Sequence, residues 1–305
     1  MSASAITMHD RGLSWTAKVQ DYLSLGKPRI AVLVLVVVAL SGYIAQWGHP
    51  NLFSLFHATL GTLFVASSAS AMNQWLERER DARMHRTSSR PLPTGRLSNT
   101  EVLTFATGTV ILGMGYLWQM VSGATAFWAG LSWLIYVAVY TPMKPLTTLN
   151  TAVGAIAGAL PVLIGWSAAG SSSGSILTDP RPIALYFVVF LWQFPHFMAI
   201  AWIYRDDYRR AGLQMLTVAD PTGRRAGVQA VLGALALLPV SLVTAFGADG
   251  HRASLFFVAA FLLGSTQLFC ASLFLAKRDQ ESARRLLRVS LIYLPALLTF
   301  LVFSI

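Results

Sequence analysis

The sequence predicts an all-α, polytopic membrane protein with nine transmembrane helices, and three observations carry that reading. Of the 305 residues, 55% are apolar and only 12% charged, where a soluble domain carries roughly a quarter charged. Mean hydropathy is +0.57. The apolar residues also fall in long runs rather than in stripes of period 2 or 3.6, the pattern of chain that crosses a bilayer.

A bilayer core takes about 20 apolar residues per helix. Nine stretches meet that length: 30–47, 53–75, 102–121, 124–141, 150–169, 183–203, 227–246, 254–276 and 287–304. Only Ser122 and Gly123 separate the third from the fourth, which predicts a tight hairpin of antiparallel helices. Of the 23 Lys and Arg residues, all but Arg181 and Arg252 lie in the N-terminal segment or in connections 2–3, 4–5, 6–7 and 8–9. By the positive-inside rule these face the cytoplasm and the C-terminus lies outside, as in a multi-pass protein of the plasma (inner) membrane. The net charge of +10 is then topology in contact with membrane lipids, and no nucleic acid is needed as a partner.

Residues 1–29 form a cytoplasmic N-terminal segment ahead of a membrane domain, 30–305. The segment has no apolar core and no small-residue cleavage site, so no cleaved leader is expected. Within it, Leu13–Leu25 is weakly amphipathic, which suits a helix on the membrane surface and a flexible tail equally well. The single cysteine, Cys270, can form no intrachain disulfide and reads as a packing residue.

Two connections carry acids as well as bases where helices leave the membrane. In NQWLERERD, residues 73–81, Asn73, Glu77 and Asp81 recur every four residues and share one helical face, successive members about 6 Å apart along the axis. A carboxylate inside lipid costs on the order of 2.5–3.5 kcal/mol, so such a face is tolerable beside a wet cavity that binds a cation. Oxygen ligands of this kind suit Mg²⁺, which completes its shell with water and phosphates. Arg86, Arg90 and Arg96 follow on a loop broken by Pro91, Pro93 and Gly95, and guanidinium forks pair with phosphate oxygens. The competing reading is a solvated helix end laced with ion pairs. In the second cluster, residues 190–212, the helical period puts His196, Ile200, Tyr204 and Asp207 on one face, with Tyr208 near it and Asp206 turned aside. A histidine inside a span is a functional candidate or a structural hydrogen-bonder. Lys144, in YTPMK after the fourth span, either fixes topology or meets phosphate.

Taken together these residues resemble the UbiA superfamily of intramembrane prenyltransferases. Asn73, Glu77 (where the family usually has Asp) and Asp81 are followed by Arg86-Thr87-Ser-Ser-Arg90-Pro91-Leu92-Pro93-Thr-Gly95. Trp192-Gln193-Phe-Pro195-His196-Phe197, then Asp206-Asp207-Tyr208 and Ala211-Gly212, is similar to the haem-modifying branch. Tyr204 and Tyr208 stand where quinone-type members carry a second Asp-x-x-x-Asp. The resemblance implies a UbiA-like bundle whose central cavity opens to the cytoplasmic side. It further implies Mg²⁺-dependent transfer of farnesyl from farnesyl diphosphate to a vinyl group of protohaem IX, with water addition, giving haem O. In that pattern Asn73, Glu77, Asp81 and Asp207 are catalytic and, with Asp206, hold metal. Arg86, Arg90, Lys144 and Arg205 meet the diphosphate. His196, Tyr204 and Tyr208 meet the haem acceptor, and Trp75, Tyr140, Trp202 and Tyr204 are candidates to shield an allylic cation. Haem B is a substrate here rather than a cofactor, and a haem A synthase is the expected downstream partner. Two rivals stay open: a prenyltransferase for a phenolic quinone precursor, and a membrane transporter, although the spans show no inverted hydropathy repeat.

Overall fold

The computed structural model describes residues 15–46, 49–170, 176, 178–244 and 250–304. Among the described residues nine helices are long and apolar enough to cross a membrane. A short helix, α1 (Trp15–Leu25), leads into α2 (Pro28–Ala45), α3 (Leu52–Asp81), α4 (Asn99–Met120) and α5 (Gly123–Met143). The fifth span is two pieces, α6 (Asn150–Ala159) and α7 (Pro161–Ala168). Then come α8 (Pro180–Ile203), the short α9 (Arg205–Arg210) and α10 (Leu216–Ala219), and the spans α11 (Arg224–Val243), α12 (Gly250–Lys277) and α13 (Gln280–Ser304).

Sequentially adjacent spans pack as antiparallel neighbours, and α13 returns to contact both α2 and α8, so the bundle closes on itself. The fifth span is the most enclosed. At its crossing with α2, a Cβ on Gly165 would lie 2.1 Å from the Val38 carbonyl oxygen. Only glycine allows that approach, and it lets Trp166, Leu163 and Val162 reach the main core with Trp192, Tyr293 and Leu297. The large exposed apolar side chains, among them Ile111, Phe127, Leu232 and Phe269, coat the outside of the bundle, as expected of a surface facing lipid. Cys270 is buried in a cluster with Phe274 and Leu286, a packing role.

Local chemistry adjusts several boundaries. Ser98 and Glu101 form a capping box that starts α4 at Asn99, ahead of the apolar run, since such a box satisfies orphan N–H groups at a helix start. Asp279 Oδ1 accepts from Ser282 N at 2.8 Å and starts α13 at Gln280, which places Arg284, Arg285 and Arg288 on a helix rather than in connection 8–9. Pro161 lacks an N–H and interrupts the fifth span. The seventh span ends at Val243, and residues 245–246 of the expected run lie outside the described residues, as do residues 1–14 and the Arg252 side chain. Chain 15–25 is a helix, tied down by Arg96 Nε on Asp21 at 3.0 Å and Gln74 Nε2 on the Leu25 carbonyl at 2.9 Å.

Candidate active site

Because α3 continues unbroken to Asp81, the three polar residues of its last turns do share a face, and that face is turned inward. Asn73, Glu77 and Asp81 are 1%, 5% and 1% exposed. Glu79, off that face, is exposed and pairs with Arg78. Asn73 Nδ2 donates to Glu77 Oε2 at 3.0 Å and to Thr141 Oγ1 at 3.1 Å, and the Thr141 hydroxyl donates onward to the Tyr136 carbonyl at 2.8 Å. With both amide hydrogens committed, Asn73 Oδ1 is left to a cation. Lys27 Nζ lies 2.7 Å from it.

Glu77 is paired with Lys144, whose Nζ is 2.8 Å from Oε1 and 3.0 Å from Oε2. Burial alone would lower the Lys144 ammonium, but the Glu77 charge holds it above the ordinary lysine value. Lys27 goes the other way: burial and the neighbouring charges of Arg90 and Lys144 push its ammonium down to about 7. Asp81 receives Arg90 on Oδ2 at 2.6 Å.

The 2–3 connection is folded onto the helix end. Thr87 Oγ1 donates to the Asp81 carbonyl at 2.9 Å, and Gly95 closes the loop at φ +73°. The 6–7 connection joins it directly, because Asp207 Oδ1 and Oδ2 accept from the backbone N–H groups of His85 at 3.2 Å and Arg86 at 3.3 Å. Arg210 pairs with the same carboxylate. Burial works against the charge, yet these donors hold Asp207 below the usual aspartate range. The Arg86 guanidinium lies over the Tyr204 ring at 4.6 Å and the Tyr208 ring at 5.7 Å. Met84 packs with Tyr208, Leu213 and Met215. Connection 4–5 is knitted in as well: Gln214 N donates to the Lys144 carbonyl at 2.7 Å, and Asn150 Nδ2 to the Gln214 carbonyl at 3.0 Å.

The fourth span reaches this cluster through a π-helical stretch, Ile135–Tyr140. A π turn holds one more residue than an α turn and recurs at functional sites. Here it presents Thr141 to Asn73 and Lys144 to Glu77. The Tyr140 ring packs against Gly154, where a Cβ would meet ring carbon at 2.8 Å, and its face lies 4.6 Å from Lys144 Nζ.

The structure therefore brings Asn73, Glu77, Asp81, Arg90 and Lys144 into one cluster, with Arg86, Tyr204, Tyr208 and Asp207 at the adjoining loop junction. It does not bring Asp206 and Arg205 there. Asp206 is exposed and pairs with Arg209; Arg205 lies over Trp202 at 4.2 Å, and that indole is packed on Phe274 at the α8–α11–α12 cluster. Asp206 lies where the helical period turned it aside, and the break at Tyr204, with φ −108° and ψ 22°, ends α8 just before Arg205. Of the candidate cation shields, Tyr140 and Tyr204 lie at the cluster, whereas Trp202 and Trp75 pack elsewhere, Trp75 with Leu25 and Phe105. His196 is deeper in α8, stacked on Trp192 with centroids 4.8 Å apart, its Nδ1 2.9 Å from Ser290 Oγ. Lys27 and Thr141 are the residues sequence reasoning missed. The only signal for Lys27 was its place directly before the first span, and for Thr141 its adjacency to Tyr140 and Lys144.

The donor set fits a hard cation. Asp81 Oδ1 is buried and accepts no hydrogen bond, and neither does Glu77 Oε1, although Lys144 Nζ stands 2.8 Å from the latter as an ion pair. Among the described residues no group of three or more His, Cys, Asp or Glu side chains forms a ready-made metal cage. One or two carboxylates, an amide oxygen and substrate phosphates are what Mg²⁺ ordinarily takes.

Comparison with known proteins gives the family and the fold. The UbiA prenyltransferase family pattern matches residues 32–294. The protohaem IX farnesyltransferase of Rhodopirellula baltica is 43% identical over 282 residues, covering 90% of this chain and 96% of that protein. The fold matches a UbiA homologue from Aeropyrum pernix K1 with a TM-score of 0.70 at 19% identity, over 88% of this chain and 97% of that one. It also matches a UbiA homologue from Archaeoglobus fulgidus bound to DMAPP and Mg²⁺, with a TM-score of 0.67 at 17% identity, over 92% and 99%. A continuous acidic face on α3, a basic loop folded over it and this extent of similarity lead to one assignment: the chain belongs to the UbiA prenyltransferase family, in its protohaem IX farnesyltransferase branch.

Proposed function

We propose that this membrane enzyme transfers farnesyl from farnesyl diphosphate to a vinyl group of protohaem IX at the cluster around Asn73, Glu77 and Asp81. The C1–O bond of the diphosphate breaks, the terminal vinyl carbon bonds to C1, and water adds to the carbon left electron-poor, releasing a proton and giving haem O. The observation that supports this most is the meeting of buried carboxylates from α3 with Lys144, Arg90 and the Arg86 loop on one end of the bundle. Asn73, Glu77 and Asp81 hold Mg²⁺, and Arg86, Arg90 and Lys144 receive the diphosphate as its charge grows. Bound Mg²⁺ supplies Lewis-acid stabilisation of that charge. Tyr140 and Tyr204 offer ring faces to a developing allylic cation. Asp207 holds the loop that carries Arg86. The basic connections on this end favour a cytoplasmic opening and a cytoplasmic N-terminus.

His196 is the acceptor-side residue, and its hydrogen bonding sets its tautomer. Ser290 Oγ gives its proton to the Leu287 carbonyl at 2.8 Å, so it accepts from His196 Nδ1–H. The Nε2 lone pair is then available to haem iron. His196→Ala should lose the absorbance shift of protohaem binding while farnesyl diphosphate affinity stays within about twofold, a change of less than ~0.5 kcal/mol. An unchanged haem spectrum would remove His196 from the acceptor site.

Mass spectrometry of haems from cells expressing wild type or Asp81→Ala tests the whole reading. Haem O should accumulate only with wild type. Haem O from both, or from neither alongside a prenylated phenol, would overturn it.

A further inference from the structure

Asn73 Oδ1 is contested. The amide cannot turn away, since its two N–H groups are held by Glu77 and Thr141, and the ammonium of Lys27 lies 2.7 Å from the oxygen. A dication on the same oxygen sits at about 2.1 Å and repels an ammonium so placed. Glu77 and Asp81 are already matched by Lys144 and Arg90, so a dication entering by itself meets a balanced cluster with Lys27 in surplus. A diphosphate entering with it restores the balance and offers Lys27 an acceptor. The Lys27 backbone need not move for this. It is fixed at φ +46° between α1 and α2, with its N–H on the Ser24 carbonyl at 3.1 Å and α1 anchored by Asp21–Arg96, so the four-carbon side chain alone swings.

We propose that Lys27 is an internal counter-cation that occupies Asn73 against the metal and yields it only when diphosphate arrives, so that metal and diphosphate bind as a coupled pair. The inference rests on the metal–diphosphate reading of this cluster. Coupling between two ligands is reciprocal and ordinarily worth 5–150-fold in affinity. Removing the Lys27 charge lets the metal bind without its partner and takes a contact from the diphosphate, so both changes shrink the coupling.

The test uses the full chain in nanodiscs below pH 7, where Lys27 carries its proton, with Mn²⁺ followed by electron paramagnetic resonance and farnesyl thiolodiphosphate as the unreactive donor. In wild type the analogue should tighten Mn²⁺ binding strongly. In Lys27→Met, Mn²⁺ alone should bind more tightly, the analogue alone more weakly, and the coupling factor should fall at least about fivefold. Lys27→Gln, which keeps a donor for Asn73 without a charge, carries the same expectation and stands in where Met disturbs folding; Lys27→Arg should retain the coupling. Wild-type coupling in both uncharged variants overturns the proposal. Asp81→Asn separates the two layers of argument. If it binds Mn²⁺ like wild type, the metal site itself is misassigned, whereas loss of Mn²⁺ there with wild-type coupling in Lys27→Met refutes only the role of Lys27.

Discussion

Asp81 and Asp207 are both buried aspartates at the same end of the bundle, yet they are satisfied in opposite ways. Asp81 keeps one oxygen without a hydrogen bond, whereas both oxygens of Asp207 are filled by backbone N–H groups and one also by Arg210. The first leaves an acceptor oxygen open at the cluster, and the second ties the 2–3 loop to the 6–7 connection. Hydrogen bonds to charged groups contribute roughly 1.5–3 kcal/mol, so Asp207→Asn should raise amide exchange at His85 and Arg86 by about tenfold or more. Hydrogen exchange read by mass spectrometry checks this, and unchanged protection of that segment would remove the loop-holding role. The pH dependence follows in sign. Asp207 is depressed in the folded chain, so its contribution is complete above the ordinary aspartate value of 3.8 and is lost as pH falls through the lower folded value. The loop should open in acid, not in base. The spacing of Asn73, Glu77 and Asp81 was legible because a four-residue recurrence survives on any unbroken helix. Lys27 was not, since a lysine ahead of a first span looks the same whether it sets topology or reaches Asn73.

Elements that depart from regular geometry account for most of what the sequence concealed. A wheel drawn through residues 190–212 assumes one helix, but α8 ends at Ile203 and α9 begins at Arg205. The wheel carries Asp207 and Tyr208 to the loop junction and turns Asp206 aside, as found, but it does not show the break at Tyr204, beside which Arg205 lies over Trp202. The π stretch Ile135–Tyr140 is invisible for a different reason: hydropathy does not register one residue more per turn. That stretch has a consequence for activity. Deleting Val139, a residue 41% exposed on the outer face, should close the wide turn to a regular α turn and shift Thr141 and Lys144 by roughly 1 Å, since the π stretch already absorbs the extra residue and the helix after it keeps most of its phase. The remaining helix still crosses a membrane, so the protein should insert and fold. Misplacement of catalytic groups by about 1 Å costs on the order of 10²-fold, and the deletion should lower haem O formation by at least that factor. Near-wild-type product would show that the π turn has no part in presenting Lys144.

At the scale of the whole molecule, the nine spans were legible because bilayer thickness imposes a length that hydropathy records directly. Which side the cluster faces is an electrostatic matter. Lys27, Arg86, Arg90 and Lys144 lie at the acidic cluster and its loop, while Arg224, Lys277 and Arg284 sit at the starts and ends of other spans, and all share one end of the bundle. Charges that orient insertion and charges of the cluster thus reinforce each other: a chain inserted upside down would carry its basic cluster across the membrane against the positive-inside rule. The orientation is testable with single cysteines, because the native thiol at Cys270 is buried and is removed by Cys270→Ser. In that background Ser88→Cys, on the exposed 2–3 loop, and His49→Cys, on the exposed 1–2 connection, report the two ends. A membrane-impermeant maleimide added to intact cells should label His49→Cys and spare Ser88→Cys, and opening the inner membrane should expose Ser88→Cys. The reverse pattern would put the site on the outer side, away from a cytoplasmic supply of a charged diphosphate, and would require an outer-side donor for the same chemistry.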